Sequence, residues 1–264
     1  MAKHIEVATV KPNCVCLLVW SLMSPEGFFL NWESTFVGYY QDPYYGCGGG
    51  YYFAGVNIPQ GAEVINAQLR LMSADSVANR IVRSEIWAQI NANPQPFSTF
   101  DDYISRPWYP SEANCDDIPP LTSGTWYTTP NFADIVQQIV NLPDWKPGNP
   151  MVIVWSDFDC RSDPVTGTFR AFFTPYHEPP TPIILVIDYE PPRYRRTYLI
   201  KHPALMSIKT VEHTKQGDKE TTHLSDGSSL AERRLTTSKE ITITPPAEVE
   251  VTTLPGLKYT KEIR

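Results

Sequence analysis

Twenty-five prolines and fourteen glycines are scattered through a chain of 264 residues. Proline lacks an amide hydrogen and clashes with the preceding helical turn, so a chain punctuated this densely cannot be built from long helices. Short extended runs joined by turns remain, and the stretches between the breaks have that character. VINAQLRLMSA (64–74) and RIVRSEIWAQI (80–90) alternate along the strand period. In the second, Ile81, Arg83, Glu85 and Trp87 share one face and Val82, Ser84, Ile86 and Ala88 the other. MVIVWSDF (151–158), FRAFFTPY (169–176) and PIILVIDYE (182–190) are apolar runs bounded by Asp, Pro and Gly, as in the strands of a two-sheet fold. Seven Trp, fourteen Tyr and eleven Phe supply large side chains for its core.

NIPQGAEVINAQLRL (57–71) carries the strongest single strand signal. Pro59 and Gly61 shape a turn, and Ala67, Leu69 and Leu71 share a strand face. Val64 has the opposite parity unless a bulge at the strand start shifts the phase. One segment departs from the strand period. In TTPNFADIVQQIVNLPDW (128–145), Phe132, Ile135, Val136, Ile139 and Val140 recur at helical spacing, with Thr129 as cap and Pro130 in the first turn. A short amphipathic helix ending near 141–143 is predicted, lying across an end or edge of the sandwich.

Composition changes at EPPRYRR (190–196). Residues 1–190 hold all seven Trp, all five Cys and a net charge of −11, whereas 191–264 hold three aromatic residues, Tyr194, Tyr198 and Tyr259, and a net charge of +4. The expected organisation is a sandwich over 1–190 and an extended arm or small β-rich appendage over 191–264. In that second part 198–214 and 240–254 alternate as strands, while 217–234 is polar and loop-like apart from a short helix near 229–234. An arm with so few apolar residues needs the body or neighbouring chains to become ordered. Nucleic acid is a poor partner for an acidic body. The apolar run CVCLLVWSLM (14–23) is too short to span a bilayer. An odd count of Cys excludes a fully paired disulfide scaffold within one chain.

No nucleophile elbow, zinc-protease helix, phosphate loop or dinucleotide glycine pattern occurs in the chain. GCGGG (46–50) reads as a flexible or tightly turned connection flanked by Tyr39, Tyr40, Tyr44, Tyr45, Tyr51 and Tyr52. Exposed tyrosines can stack on sugar rings or fill a protein interface; on adjacent strands they also line the two sheet faces. Cys14 and Cys16, two apart on a strand, point the same way and can share a metal only if other ligands converge; buried free thiols are the plainer reading. Asp157, Asp159 and Asp163 in DFDCRSD are oxygen donors at a spacing that suits a structural calcium. Asp101 with Asp102 and Asp116 with Asp117 can act as a glycosidase pair only if folding sets a partner at the required distance. His4, His177, His202, His213 and His223 show no ligand spacing.

The order of these features resembles a known family. FVGYY (36–40), YYFAGVNIPQGAEVINAQLRLMSA (51–74), RIVRSEIWAQI, GTWYTTPNFADIVQQIVN (124–141), MVIVWSDF and PIILVIDYE resemble, in that order, the DNRLRE-type jelly-roll domain of surface and extracellular proteins. Ile58, Pro59, Gly61, Ala62, Val64, Ala67, Leu69 and Leu71 correspond to its turn-and-strand motif, and Trp126 with FADIVQQIV approximates its later tryptophan-and-helix region. The resemblance spans residues 5–190 and implies an all-β jelly-roll sandwich, either binding polysaccharide or serving as a passive module. Together with the underpacked arm it leads to an expectation: a non-enzymatic structural virion protein of a tailed bacteriophage, in capsid decoration, tail or fibre. Such a protein is made in the host cytoplasm, resides in the virion, and has other virion proteins and copies of itself as partners. The alternative expectation is a carbohydrate-binding module that holds a surface glycan on exposed aromatic residues. Neither inserts into a membrane.

Overall fold

The computed structural model describes residues 2–19, 27–40, 46–76, 80–108, 113–116, 118–192, 195–202, 205–214, 217–224, 229–235 and 248–252. The chain divides into two compact units, Ala2–Pro192 with Arg193–Arg264 as the other. Both are β-structures with antiparallel pairing throughout, and the first is sandwich-like.

The first unit contains β1 (Lys3–Ala8), β2 (Val15–Val19), β3 (Phe28–Leu30), β4 (Ser34–Tyr39), β5 (Gly46–Phe53), β6 (Glu63–Ser76), β7 (Glu85–Ala88), α1 (Phe100–Ser105), β8 (Ala113–Asn114), β9 (Trp126–Thr128), α2 (Ala133–Val140), β10 (Met151–Ser156), β11 (Thr168–Phe173) and β12 (Ile184–Glu190). One hydrogen-bonded path, β1-β12-β6-β11-β4-β5-β10-β7-β8, curls into two layers. In the first layer β6 pairs with β12 over its first part and with β11 at its end, so that β11 and β12 act as one strand interrupted by residues 174–183. β1 extends β12, β4 extends β11, and β9 pairs with β6 at Arg70–Met72. In the second layer β5 lies between β10 and the β2–β3 pair, and β7 and β8 extend β10. The layers meet at a corner where β4 and β5 pair only through Gly38–Cys47 and Tyr39–Gly46.

Alternation sorts the side chains of the second layer into two cores. Val15, Tyr51, Phe53, Ile86, Ala88, Met151, Ile153 and Trp155 face the first layer, joining Ala67, Leu69, Leu71, Phe172, Leu185 and Ile187. Cys16, Leu18, Val152 and Val154 face the other way and are covered by Phe97, Phe100 and Tyr103 on and before α1. That helix is additional to the one predicted. Thr99 caps it through the Asp102 amide at 3.1 Å, but at six residues between prolines its periodic signal is short. Leu69 and Leu185 are paired across β6 and β12 and wholly buried. Alanine at either is expected to cost about 2–5 kcal/mol, read as a lowered urea midpoint; near-wild-type unfolding of both variants would place the core elsewhere.

A bulge does shift the phase of β6: Asp188 pairs with Asn66 and Tyr189 with Val64, leaving Ile65 out of register and 46% exposed while Val64 and Ala67 both point inward. The Asn131 side chain fills the gap, accepting from the Ala67 amide at 2.9 Å and donating to the Ile65 carbonyl at 3.3 Å. Gln137 of α2 does the same at the start of β6, for the Val64 amide and the Ala62 carbonyl. These pairings also explain where α2 begins. Thr129 binds Leu69 through its backbone amide and its hydroxyl, in extended chain, and so is not the helix cap that the sequence suggests; α2 starts at Ala133. Its Ile135, Val136, Ile139 and Val140 are buried in the inner core as their spacing requires.

The second unit is one five-stranded sheet in the order β16-β15-β14-β13-β17, from β13 (Arg195–His202), β14 (Leu205–Thr214), β15 (Gly217–Leu224), β16 (Ser229–Leu235) and β17 (Glu248–Thr252). Residues 217–224 and 229–235, read from sequence as loop and short helix, are strands. Their polarity misleads because backbone pairing with a neighbouring strand, rather than an apolar face, defines them.

Candidate functional site

The glycine run is the first place to look, and it is a strand. Gly46, Gly48, Gly49 and Gly50 lie in the middle of the second layer, buried on both faces. A Cβ at Gly50 would stand 2.7 Å from the Phe97 ring and 2.8 Å from Cys16 Sγ, and one at Gly49 would enter the space of Thr35 and the Tyr51 hydroxyl. Glycine is required here for close approach, and the reading of a flexible connection is corrected. The tyrosines around it separate. Tyr39 and Tyr51 are buried, and the Tyr51 hydroxyl lies 3.3 Å from Thr35 Oγ1 in the inner core. Tyr52, the next residue of β5, turns to the outer core and is partly buried. Tyr40 is exposed at 39%. Tyr44 and Tyr45 lie outside the described residues. The described tyrosines therefore do not share one exposed platform: strand alternation sends them to different sides.

Tyr40 has other aromatic company. Phe36 and Phe169 stand 6.2 and 5.9 Å from it and 5.2 Å from each other, on the outward face of β4 and β11. Phe169 pairs with Gly38, whose φ is +127° and where a Cβ would lie 2.9 Å from the Phe169 Cα. The bare glycine lets the ring settle between Phe36 and Tyr40.

The three aspartates proposed for calcium do not converge. Asp157 is buried and accepts the amides of Arg161 at 2.7 Å and Ser162 at 3.0 Å, closing its own loop. Asp163 accepts the Ile81 amide at 3.1 Å, and Asp159 is exposed. Among the described residues no group of three or more His, Cys, Asp or Glu is arranged to hold a metal. What the loop delivers instead is Arg161, which lies 3.0 Å from the buried Glu85 and 3.0 Å from Asp116. Glu85 also accepts from Ser156 Oγ and from the Phe158 amide. Burial pushes its carboxyl up to about 7 against the opposing pull of Arg161. The group is held on all sides by protein, in the manner of a structural clasp.

Asp102 caps the amide of Ser98 and pairs with Arg106 at 2.7 Å; Asp101 is exposed, and Asp117 lies outside the described residues. Cys14 precedes β2 and lies in the inner core, while Cys16 lies in the outer one, so the two do not face a common ligand. All five thiols are unpaired, and burial pushes the pKa values of Cys16 and Cys47 well above the ordinary thiol range, leaving them protonated and inert. His177 stacks on Phe173 at 4.0 Å, and His202, His213 and His223 lie on β13, β14 and β15.

The outward face of the first layer carries a second group of residues that motif reading passes over. Asn66, Gln68 and Arg70 alternate with the buried Ala67, Leu69 and Leu71 along β6. Arg70 makes a two-pronged pair with Glu6 of β1, at 3.0 Å for each bond, across the intervening β12. His4 Nδ1 lies 2.7 Å from Asp188, and that hydrogen bond raises the imidazole above its ordinary value. Asn66 donates to Asp188 at 3.2 Å and to Gln68 at 3.0 Å, and Gln68 donates to the Thr129 carbonyl at 2.9 Å. Trp126 of β9 ends the row, with the Arg70 guanidinium 5.6 Å from its ring centre and 46% of its surface exposed. The signal for these residues was present in the polar parity of β6; their partners on β1, β9 and β12 come from distant sequence.

Fold and surface together define an all-β, sandwich-like protein with an ordered polar and aromatic sheet face. No protein-family model matches the chain, and no curated protein matches it. Among the described residues no helix is long and apolar enough to cross a membrane.

Proposed function

We propose that this chain is a structural protein of a virus particle, of the decoration, tail or fibre kind, acting by assembly and surface presentation and catalysing no reaction. The second unit carries the reading. Among the described residues β16 and β17 each pair on one side only, so each presents a row of backbone donors and acceptors at an open edge. Such edges accept further strands. The strands are also poor in apolar residues: in β15, GDKETTHL, Leu224 is the one aliphatic residue. A single sheet of that composition has little with which to build its own core, and neighbouring copies or other particle proteins supply the missing surface. Repetition on a symmetric shell or tube turns such modest contacts into a lattice.

Mass photometry tests this directly. The full chain is expected to form a discrete oligomer and a chain ending at Pro192 a folded monomer. A full chain that stays monomeric, or an equally large oligomer from the shortened chain, would overturn the assembly role of the second unit.

A further inference from the structure

We infer that copies of this chain join head to tail through the second unit, β17 of one copy lying parallel beside β16 of the next. The inference rests on the assembly role proposed above and gives it a partner, a second copy, and the two edges that meet.

Strand direction limits how two such sheets can join. Every neighbouring pair in the order β16-β15-β14-β13-β17 is antiparallel. With five strands in the sheet, β16 and β17 at its ends run the same way. Among the described residues both have a free side, so two copies can meet through like edges or through unlike ones. A two-fold axis brings like edges together antiparallel and leaves the other edge of each copy open. Unlike edges make a heterologous contact, which can pass from copy to copy until a ring closes and no edge is left. A closed ring turns the same sheet face of every copy the same way, and β17 then meets the next β16 in parallel.

Charge selects the unlike pair. β17, EVEVT, carries Glu248 and Glu250 and no basic residue, whereas β16, SLAERRL, carries Arg233 and Arg234 against Glu232. Like charges across a strand pair are destabilising and opposite charges stabilise it, so β17 beside β17 is the worst combination and β17 beside β16 the best. The strands next inward stand about 10 Å from an arriving edge, beyond the screening length of about 8 Å at physiological salt, which leaves the outermost strands to set the balance. The two edges also differ in regularity. β17 pairs with β13 without a break from Glu248 to Thr252. β16 is bulged between Leu230, opposite Thr222, and Arg233, opposite Glu220. A bulge blunts an edge against indiscriminate pairing. It leaves residues 233–235 as the regular stretch, and both arginines lie in it. A join this short is weak by itself, and ring closure supplies by avidity what one join lacks.

The test joins copies chemically and then reverses the charges. Full chains bearing Leu235→Cys are co-expressed with chains bearing Thr252→Cys or Val249→Cys and treated with a short bis-maleimide. Peptide mass spectrometry then identifies the linked residues. In the parallel join the C-terminal ends of β16 and β17 lie together, so position 235 is expected to link to 252 in preference to 249, about 10 Å back along the strand. Links from 235 to 235 or from 252 to 252, preference for 249, or no link from 235 to 252 in an intact oligomer overturns the inference. Glu248→Arg with Glu250→Arg is expected to turn the oligomer into monomer in mass photometry. Adding Arg233→Glu and Arg234→Glu to the same chain is expected to restore it, which a sheet merely unfolded by the first pair of changes would not do. An oligomer unmoved by the first pair, or not restored by the second, is the contrary result. A wild-type chain that is monomeric overturns the assembly role itself, whereas an oligomer with the wrong links overturns the head-to-tail join alone.

Discussion

Alanine in place of Trp155 is expected to lower the stability of the first unit by about 3–5 kcal/mol. Its indole lies between the layers with no exposed surface, 5.1 Å from the Phe172 ring and stacked at 6.0 Å on Tyr127. Truncation removes contacts with β9 and β11 together and opens a cavity where two layers and α2 have little freedom to close in. It also removes a buried hydrogen bond, in which the indole N–H donates to Ser84 Oγ at 2.8 Å. Trp155→Phe separates the two contributions: it restores much of the volume but not the donor, so its loss is expected to fall between wild type and alanine. Urea unfolding at constant slope measures both. A loss under about 1 kcal/mol for alanine would mean that the layers do not meet at Trp155.

The second large effect belongs to the clasp between β7 and the 157–163 loop. Removing Arg161 leaves the Glu85 carboxyl buried without its cation, a change that is expected to cost about 3–5 kcal/mol where Glu85 is ionised. The loss has a pH signature. In the wild type, burial raises the folded-state Glu85 carboxyl from about 4.5 to about 7. The folded chain therefore holds this proton more tightly than the unfolded one. The stabilisation from that proton is full below about pH 4.5 and is lost as pH rises through about 7. Arg161→Met drives the carboxyl higher still, so the gap between variant and wild type is expected to widen above pH 7 and to narrow towards pH 5. Thermal unfolding across that range, with Glu85→Gln as the chain lacking the titrating group, reads the effect. A gap that is flat with pH, or that widens on acidification, is the contrary outcome.

Legibility from sequence followed a physical rule. The segments whose own side chains alternate, such as Ala67–Leu71 and Met151–Ser156, and the helical spacing of Ile135, Val136, Ile139 and Val140, announced their structure because burial acts on each residue's own side chain. The glycine strand β5 was silent because it has few side chains to show a period; its identity depends on Thr35, Phe97 and Cys16, which come from other elements. The bulge at Ile65 was open as an alternative, but choosing it needed Asn131, far along the chain and folded back to serve as a substitute strand. Asp157 shows the same limit at a candidate site. A carboxylate that binds metal and one that closes a turn look alike in DFDCRSD, and the amides of Arg161 and Ser162 decide between them. The outward polar row was half legible: β6 displays it, while Glu6, Trp126 and Asp188 join only through strand register.

That register has a consequence for how the chain comes into being. Among the described residues β1 pairs only with β12: Val7 sits beside Leu185, with nearly all of the first unit lying between them along the chain. During synthesis β1 therefore waits, with one edge and an apolar flank of Ile5 and Val7 uncovered, until Ile184–Glu190 has been made and laid against β6. Closure of the first layer is a late, long-range event of the kind that slows folding and prolongs exposure to neighbours. His4 and Glu6, alternating with those apolar residues, and Lys3 just before them give the waiting strand the charge that discourages it from pairing with another unfinished copy.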